Sequence, residues 1–273
     1  MIRYPVYLEI AEGGLCMAHV IHLPGCIVRA PSRDAALRQL PDAIRDYHAW
    51  LRRHGEPAPP EVESIEIEIE IAGDSAGFGP FAPGDVAALF PPDREPLTSE
   101  EMERHLRLMT YSRVDLLALV RDPSTLPPSG GAGQILSDEA LDWQPDPQSF
   151  TIRGVLRHIG NAEEWYVSRL VPPETLPPEW EHDEDLSILE FLEMERRTAI
   201  ARLRQLTEEE RSGVFYPTRW TQHPDEPWTA RKAMRRFLEH EREHAAQVEA
   251  ILAAWHIRSA SEPKSQQGSQ VNH

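Results

Sequence analysis

The chain has 273 residues, 40% of them hydrophobic, with a mean hydropathy of −0.49 and a formal charge of −17. That length is comfortable for two units with packed cores. Residues 1–90 carry 7 basic and 13 acidic side chains and residues 91–258 carry 20 and 31, so neither part suits broad nucleic-acid binding through phosphate neutralisation. The apolar runs are far too short to span a bilayer, and the first residues read as a strand rather than a signal peptide. No membrane association and a cytoplasmic location are expected. The two cysteines, Cys16 and Cys26, lack a metal or redox spacing and are expected as free, buried thiols.

Tyr4, Val6, Leu8 and Ile10 share one parity, which predicts a first strand. Gly13-Gly14 marks a tight turn. A second strand is expected over 15–23, and a short third one over 26–30 after Pro24-Gly25. Ser32 suits a helix N-cap, and the apolar period from Ala35 to Leu51 is helical. Pro41 inside it should kink or restart the helix. Ile65, Ile67, Ile69 and Ile71 alternate with Glu66, Glu68 and Glu70, as in a half-buried strand with an acidic outer face.

Residues 73–97, rich in Gly and Pro, read as a linker. Thr98 and Glu101 fit a capping box for a helix running to about Arg121. Residues 122–148 read as a long loop. A second helix is expected from about Thr151 to Leu170, and a third from about Leu186 to Leu206 with Ser187 and Glu190 as its capping box. Residues 211–227 form another loop. Thr229 opens a fourth helix reaching about Ile257, and the polar tail 259–273 is expected to be disordered. The fold class is thus α+β in two domains: a small β-β-β-α-β unit over 1–72 and a four-helix bundle over 98–258. Four long amphipathic helices suggest an up-and-down bundle, although the long loops allow other connectivities.

The informative string lies in the last helix. His240 and His244 are four residues apart, the spacing at which one helix face offers two imidazoles to one metal. They belong to the stripe Ala233, Phe237, His240, His244, Val248, Ile251 and Trp255, which should face the core. Two such imidazoles are costly unless a metal or a hydrogen-bond network satisfies them. Glu239, Glu241 and Glu243 are the nearby carboxylates for the second solution. His158, flanking the stripe of Val155, Ile159, Ala162 and Tyr166, is the best third ligand, and His105 is a weaker one. His19, His22, His48, His54, His182, His223 and His256 read as surface or incidental. Trp165 and Trp228 read as core packing, and Glu163, Glu164 and Asn161 as solvated positions or partners of an imidazole. Three neutral imidazoles leave a fourth position open, as in a catalytic site.

The run from Phe150 to Tyr166 around His158, and Trp228 to Arg231 followed by His240-Glu-Arg-Glu-His244-Ala-Ala-Gln247, resemble the DinB-like superfamily of four-helix metalloproteins. The resemblance implies a divalent metal, zinc or nickel, held by His158, His240 and His244. It also implies a thiol S-transferase or related metal-activated transferase or hydrolase, with a low-molecular-weight thiol as co-substrate and a small electrophile as acceptor. The runs Tyr4 to Ile10 and Leu23 to Val28, with the helix up to Leu51, resemble a HicB-like antitoxin-type domain, which implies a binding or dimerisation module and a homodimer through its sheet edges. The competing expectations are a non-enzymatic binding or regulatory protein and a metal-free core histidine cluster.

Overall fold

The computed structural model describes residues 2–11, 13–59, 65–71, 88–121, 134–181 and 186–261. The stretches 72–87 and 122–133, His182 and the tail 262–273 lie outside them, as do the side chains of 68–71. The architecture is α+β, with a sheet in the N-terminal part and helices after it.

Strands β1 (Ile2–Ile10), β2 (Cys16–His19) and β3 (Ile27–Ala30) are followed by helix α1 (Arg33–Arg53) and strand β4 (Ile65–Ile71). The sheet order is β3-β2-β1-β4, with β1 parallel to β4 and antiparallel to β2. The strands are shorter than expected over 15–23, because Val20 to Cys26 closes a turn with its own backbone hydrogen bonds. Ser32 caps α1 by accepting from the Ala35 amide, and the helix continues through Pro41 without restarting. Tyr4, Val6 and Leu8 on one parity of β1 are buried and Ile10 is exposed, while Tyr7 and Glu9 on the opposite parity are buried too. Tyr4 meets His48 of α1 at 2.8 Å on one face, while Tyr7 packs on Phe90 on the other. Both faces of the strand are therefore covered.

The helical part consists of α2 (Ser99–Leu119), α3 (Asp138–Asp142), α4 (Ile152–Val167), α5 (Ile188–Arg204), α6 (Glu208–Ser212) and α7 (Ala230–Ser261). The capping boxes at Thr98/Glu101 and Ser187/Glu190 form as the sequence suggests. Three expectations fail. The stretch 134–148 holds the short helix α3, capped by Ser137. Helix α7 continues to Ser261, past the expected start of the tail. Residues 88–97 are not a spacer: Ala88 and Phe90 are buried and Asp93 is wholly enclosed.

Among the four long helices, α2 packs on α7, α7 on α4, and α4 on α5. A sequential up-and-down ring would put α4 and α7 diagonally apart; here they are neighbours, which allows residues of both to meet. Gly160 permits the close approach of α4 and α5, because a Cβ there would clash with the ring edge of Phe191.

Four charged side chains cross the middle of the bundle. Arg113 of α2 and Arg196 of α5 face Glu163 of α4 and Glu241 of α7, and all four are at least 94% buried, with exposures of 6%, 6%, 2% and 1%. Arg196 donates to Glu163 and to Glu241 at 2.9 Å, and Arg113 donates to Glu241 at 2.6 Å and also to Glu163. Two cations and two anions enclosed together remain neutral, which is the condition under which such burial is tolerable.

Most buried apolar residues of the sheet and the bundle form one contiguous cluster, and Tyr7, Ala88 and Phe90 form a second, smaller one. Gly25 (φ +87°) sits on α7 so closely that a Cβ would stand 2.9 Å from Cδ of Arg242 and 3.1 Å from Cβ of Leu238. Arg242 also donates to the Gly25 carbonyl at 3.0 Å. No helix of the described residues is long and apolar enough to cross a membrane.

Candidate metal centre

Thr151 caps α4 by accepting from the Gly154 amide, and the helix then carries His158 in its middle. The neighbouring α7 presents His240 and His244 one turn apart. The structure brings the three together, with one ring nitrogen of each lying within 4.8 Å of the others. Nε2 of His158 and Nε2 of His240 are 3.0 Å apart. Ligand nitrogens on one tetrahedral zinc, each about 2.0–2.1 Å from the ion, stand roughly 3.3 Å apart; the His158–His240 pair is near that spacing, while the set of three spreads to 4.8 Å.

The protonation pattern fits as well. Nδ1 of His244 meets Oε1 of Gln247 at 2.7 Å. That oxygen only accepts, so Nδ1 carries the proton and Nε2 keeps its lone pair. Burial, then the neighbouring His244 and His158, hold His240 well below the ordinary imidazole range. Burial is also the main cause that lowers His158 and His244. Neutral imidazoles are what a metal requires.

The carboxylate alternative is not what the structure adopts. Glu239 turns to His19 and the arginines at 235 and 236, Glu241 to Arg113 and Arg196, and Glu243 to Arg29. His105 does not join the cluster: its Nδ1 donates to the Glu101 carbonyl at 2.8 Å within α2.

The cluster opens on one side. His240 is buried, His244 half-buried and His158 exposed. Phe150, 57% exposed, stacks beside His158 with ring centroids 6.4 Å apart. Tyr166 lies edge-on to His240 at 5.8 Å and packs on Trp228 and Phe237, which are both buried. Trp228 is thus core, as expected, and Trp165 packs edge-on against it at 5.3 Å.

Several polar residues were misjudged from sequence. His19 is fully buried, not incidental. Its Nε2 faces Glu9 at 2.9 Å and its Nδ1 faces Glu239 at 2.8 Å. Both nitrogens must donate to carboxylates, so the ring is an imidazolium. Burial alone would lower its pKa, but Glu239 and Glu9 outweigh burial and raise it. His48 is buried against Tyr4, and Glu163 is buried in the charged quartet rather than solvated. Phe150 and Gln247 entered only as ends of the resembling motifs, with no role given, and Arg236 was not singled out. Gln247 and Arg236 sit three and four residues from a site histidine on the same helix, a spacing that could have flagged them.

No curated protein matches the chain. One solved structure that aligns with it is described as "YfiT from Bacillus subtilis is a probable metal-dependent hydrolase with an unusual four-helix bundle topology", at 18% identity and a TM-score of 0.41, over 59% of this chain and 91% of that one. Residues 133–248 match the family model of the DinB superfamily, and that segment holds His158, His240 and His244.

Proposed function

We propose that the chain is a divalent-metal enzyme in which His158, His240 and His244 hold the ion, and that it activates a small thiol, or water in its place, for attack on an electrophile. The observation that carries this reading is the convergence of three imidazole nitrogens within 4.8 Å at a site open on the His158 side. Zinc or nickel suits an all-imidazole donor set. The ion supplies Lewis acidity and lowers the pKa of the thiol or water that it binds.

The chain's own residues do the rest. Gln247 fixes the ring of His244. Tyr166 and Phe237 wall the buried side of His240 against water. Phe150 offers an apolar lip for the acceptor. In the transfer the thiol proton passes to solvent, sulfur forms a bond to the electrophilic carbon, and the leaving group departs with its bonding pair. Water replaces the thiol in the hydrolytic version.

Metal analysis of dialysed, untagged protein tests the site. One equivalent of metal is expected, lost in His158→Ala with the helical circular dichroism kept, and lost also in His240→Ala and His244→Ala. Turnover of 1-chloro-2,4-dinitrobenzene with added thiols, set against hydrolysis of a nitrophenyl ester, then separates transfer from hydrolysis. A folded protein that takes up no metal would overturn the reading.

A further inference from the structure

Helix packing runs from α2 to α7, from α7 to α4 and from α4 to α5. The remaining seam, between α5 and α2, lies across the bundle from the α4–α7 seam that holds the imidazoles. A cavity of about 440 Å³ opens in it, within the roughly 300–1,000 Å³ typical of small-molecule sites. Arg121 and Ile135, joined by an antiparallel bridge, stand at the end where α2 finishes.

The floor of the cavity calls for nothing polar. Arg113 and Arg196 lie there and reach across the seam, Arg113 donating to the Leu192 carbonyl of α5 at 2.6 Å and Arg196 to the Met109 carbonyl of α2. Their other nitrogens donate to Glu163 and Glu241. Both guanidinium groups are therefore satisfied and neutralised before any ligand arrives. The walls are aliphatic, made by Leu117, Val120, Ile135, Leu192 and Ile200, with no aromatic ring among the described lining residues. Such walls gain most from covering by an apolar, flexible body. The rim differs. Arg121, half-buried, and Arg197, exposed, stand on it with the exposed Glu193. Among the described residues neither of these arginine side chains, nor Glu193, makes a hydrogen bond or ion pair. Two cations against one anion leave the rim one positive charge in excess, beside an apolar wall.

We propose that this cavity is a second ligand site, separate from the imidazole cluster, that takes a free aliphatic carboxylate. The hydrocarbon chain lies between Leu117 and Ile200 above the arginine floor, and the carboxylate meets Arg121 and Arg197 at the rim. Guanidinium groups suit that head because they offer paired donors to its two oxygens. The charged quartet lies between this site and the imidazoles, so the proposal does not rest on the metal-enzyme reading.

Titration calorimetry of the full chain with octanoate and with octan-1-ol tests it. One equivalent of octanoate should bind, and octan-1-ol about fivefold more weakly, the upper end for a partly exposed ion pair. Arg121→Gln combined with Arg197→Gln, both at the rim, should bring the two ligands level. Ile200→Trp, which fills the cavity, should abolish the binding of both. His158→Ala should leave both unchanged; loss of octanoate there would assign the binding to the imidazole cluster and overturn the proposal. No octanoate bound by wild type, or a preference unchanged in the double rim variant, also overturns it. A dimer in sedimentation that binds no octanoate and that Ile200→Trp breaks would give the cavity to a second copy of the chain instead. Should Ile200→Trp not fold, Arg121→Glu combined with Arg197→Glu decides the matter: reversing the rim charge must turn the preference towards octan-1-ol.

Discussion

Replacing Glu163 with Gln should destabilise the chain severely, although Glu163 touches no imidazole of the candidate centre. The substitution keeps shape but removes one of the two anions in the quartet. Arg113 and Arg196, each 6% exposed, would then share the single carboxylate of Glu241. Leaving a buried charge without its partner costs about 3–5 kcal/mol. At about 2.1 cal/mol/K per residue the whole chain has an unfolding entropy near 0.6 kcal/mol/K, so about 4 kcal/mol lowers Tm by about 7 °C. Urea unfolding at pH 7, with a chelator present so that bound metal does not contribute, measures the loss. Adding Arg113→Met leaves Arg196 and Glu241 as a balanced pair. The double variant should then be less damaged than the sum of the singles by about 2 kcal/mol. A loss below about 1 kcal/mol for Glu163→Gln, or strict additivity in the double variant, would refute the reasoning.

Burial lowers His105 to about 4, so between that value and the ordinary imidazole pKa the unfolded chain binds the extra proton. Stability is therefore full above pH ~6.5 and falls towards pH 4, by about 3 kcal/mol from this group. Urea midpoints at pH 7 and pH 4.5 should differ less in His105→Gln than in wild type, and equal differences would remove His105 as a cause. Gly160→Ala would normally favour a helix by about 1 kcal/mol, yet the Phe191 ring occupies the position of the new methyl. A net loss of about 1–3 kcal/mol is expected. Phe191→Leu in the same chain should recover part of it, as read from thermal melts.

The helices were legible because their signals are local. Thr98 with Glu101, and Ser187 with Glu190, are capping boxes written within four residues. His240 and His244 were legible for the same reason, since one helix fixes their relation. His158 needed either a resemblance or the fold itself, because its meeting with His240 depends on α4 lying beside α7. The polar interior was the illegible part. Glu9, His19 and Glu239 are remote in sequence and each looks like a solvated residue alone; only the docking of the sheet on α7 makes them a buried chain of ion pairs. The same holds for Asp93, which composition assigns to a linker and which Arg235 holds at 2.8 Å in the interior. Parity in β1 signalled a strand, and nothing local to it signals that Phe90 packs on Tyr7.

Helix α7 between Arg235 and His244 has no idle side. Arg235 holds Asp93, Leu238 receives Gly25, Glu239 holds His19, Glu241 joins the quartet and Arg242 grips the Gly25 carbonyl, with the site histidines in the gaps. Seven of ten consecutive positions are thus committed at once to packing, to ion pairing and to the candidate centre. A variant in this stretch that loses metal would not reveal which commitment it had broken. His158 stands outside the stretch, on another helix and open to solvent, so of the three candidate ligands it is the one whose removal isolates coordination from architecture.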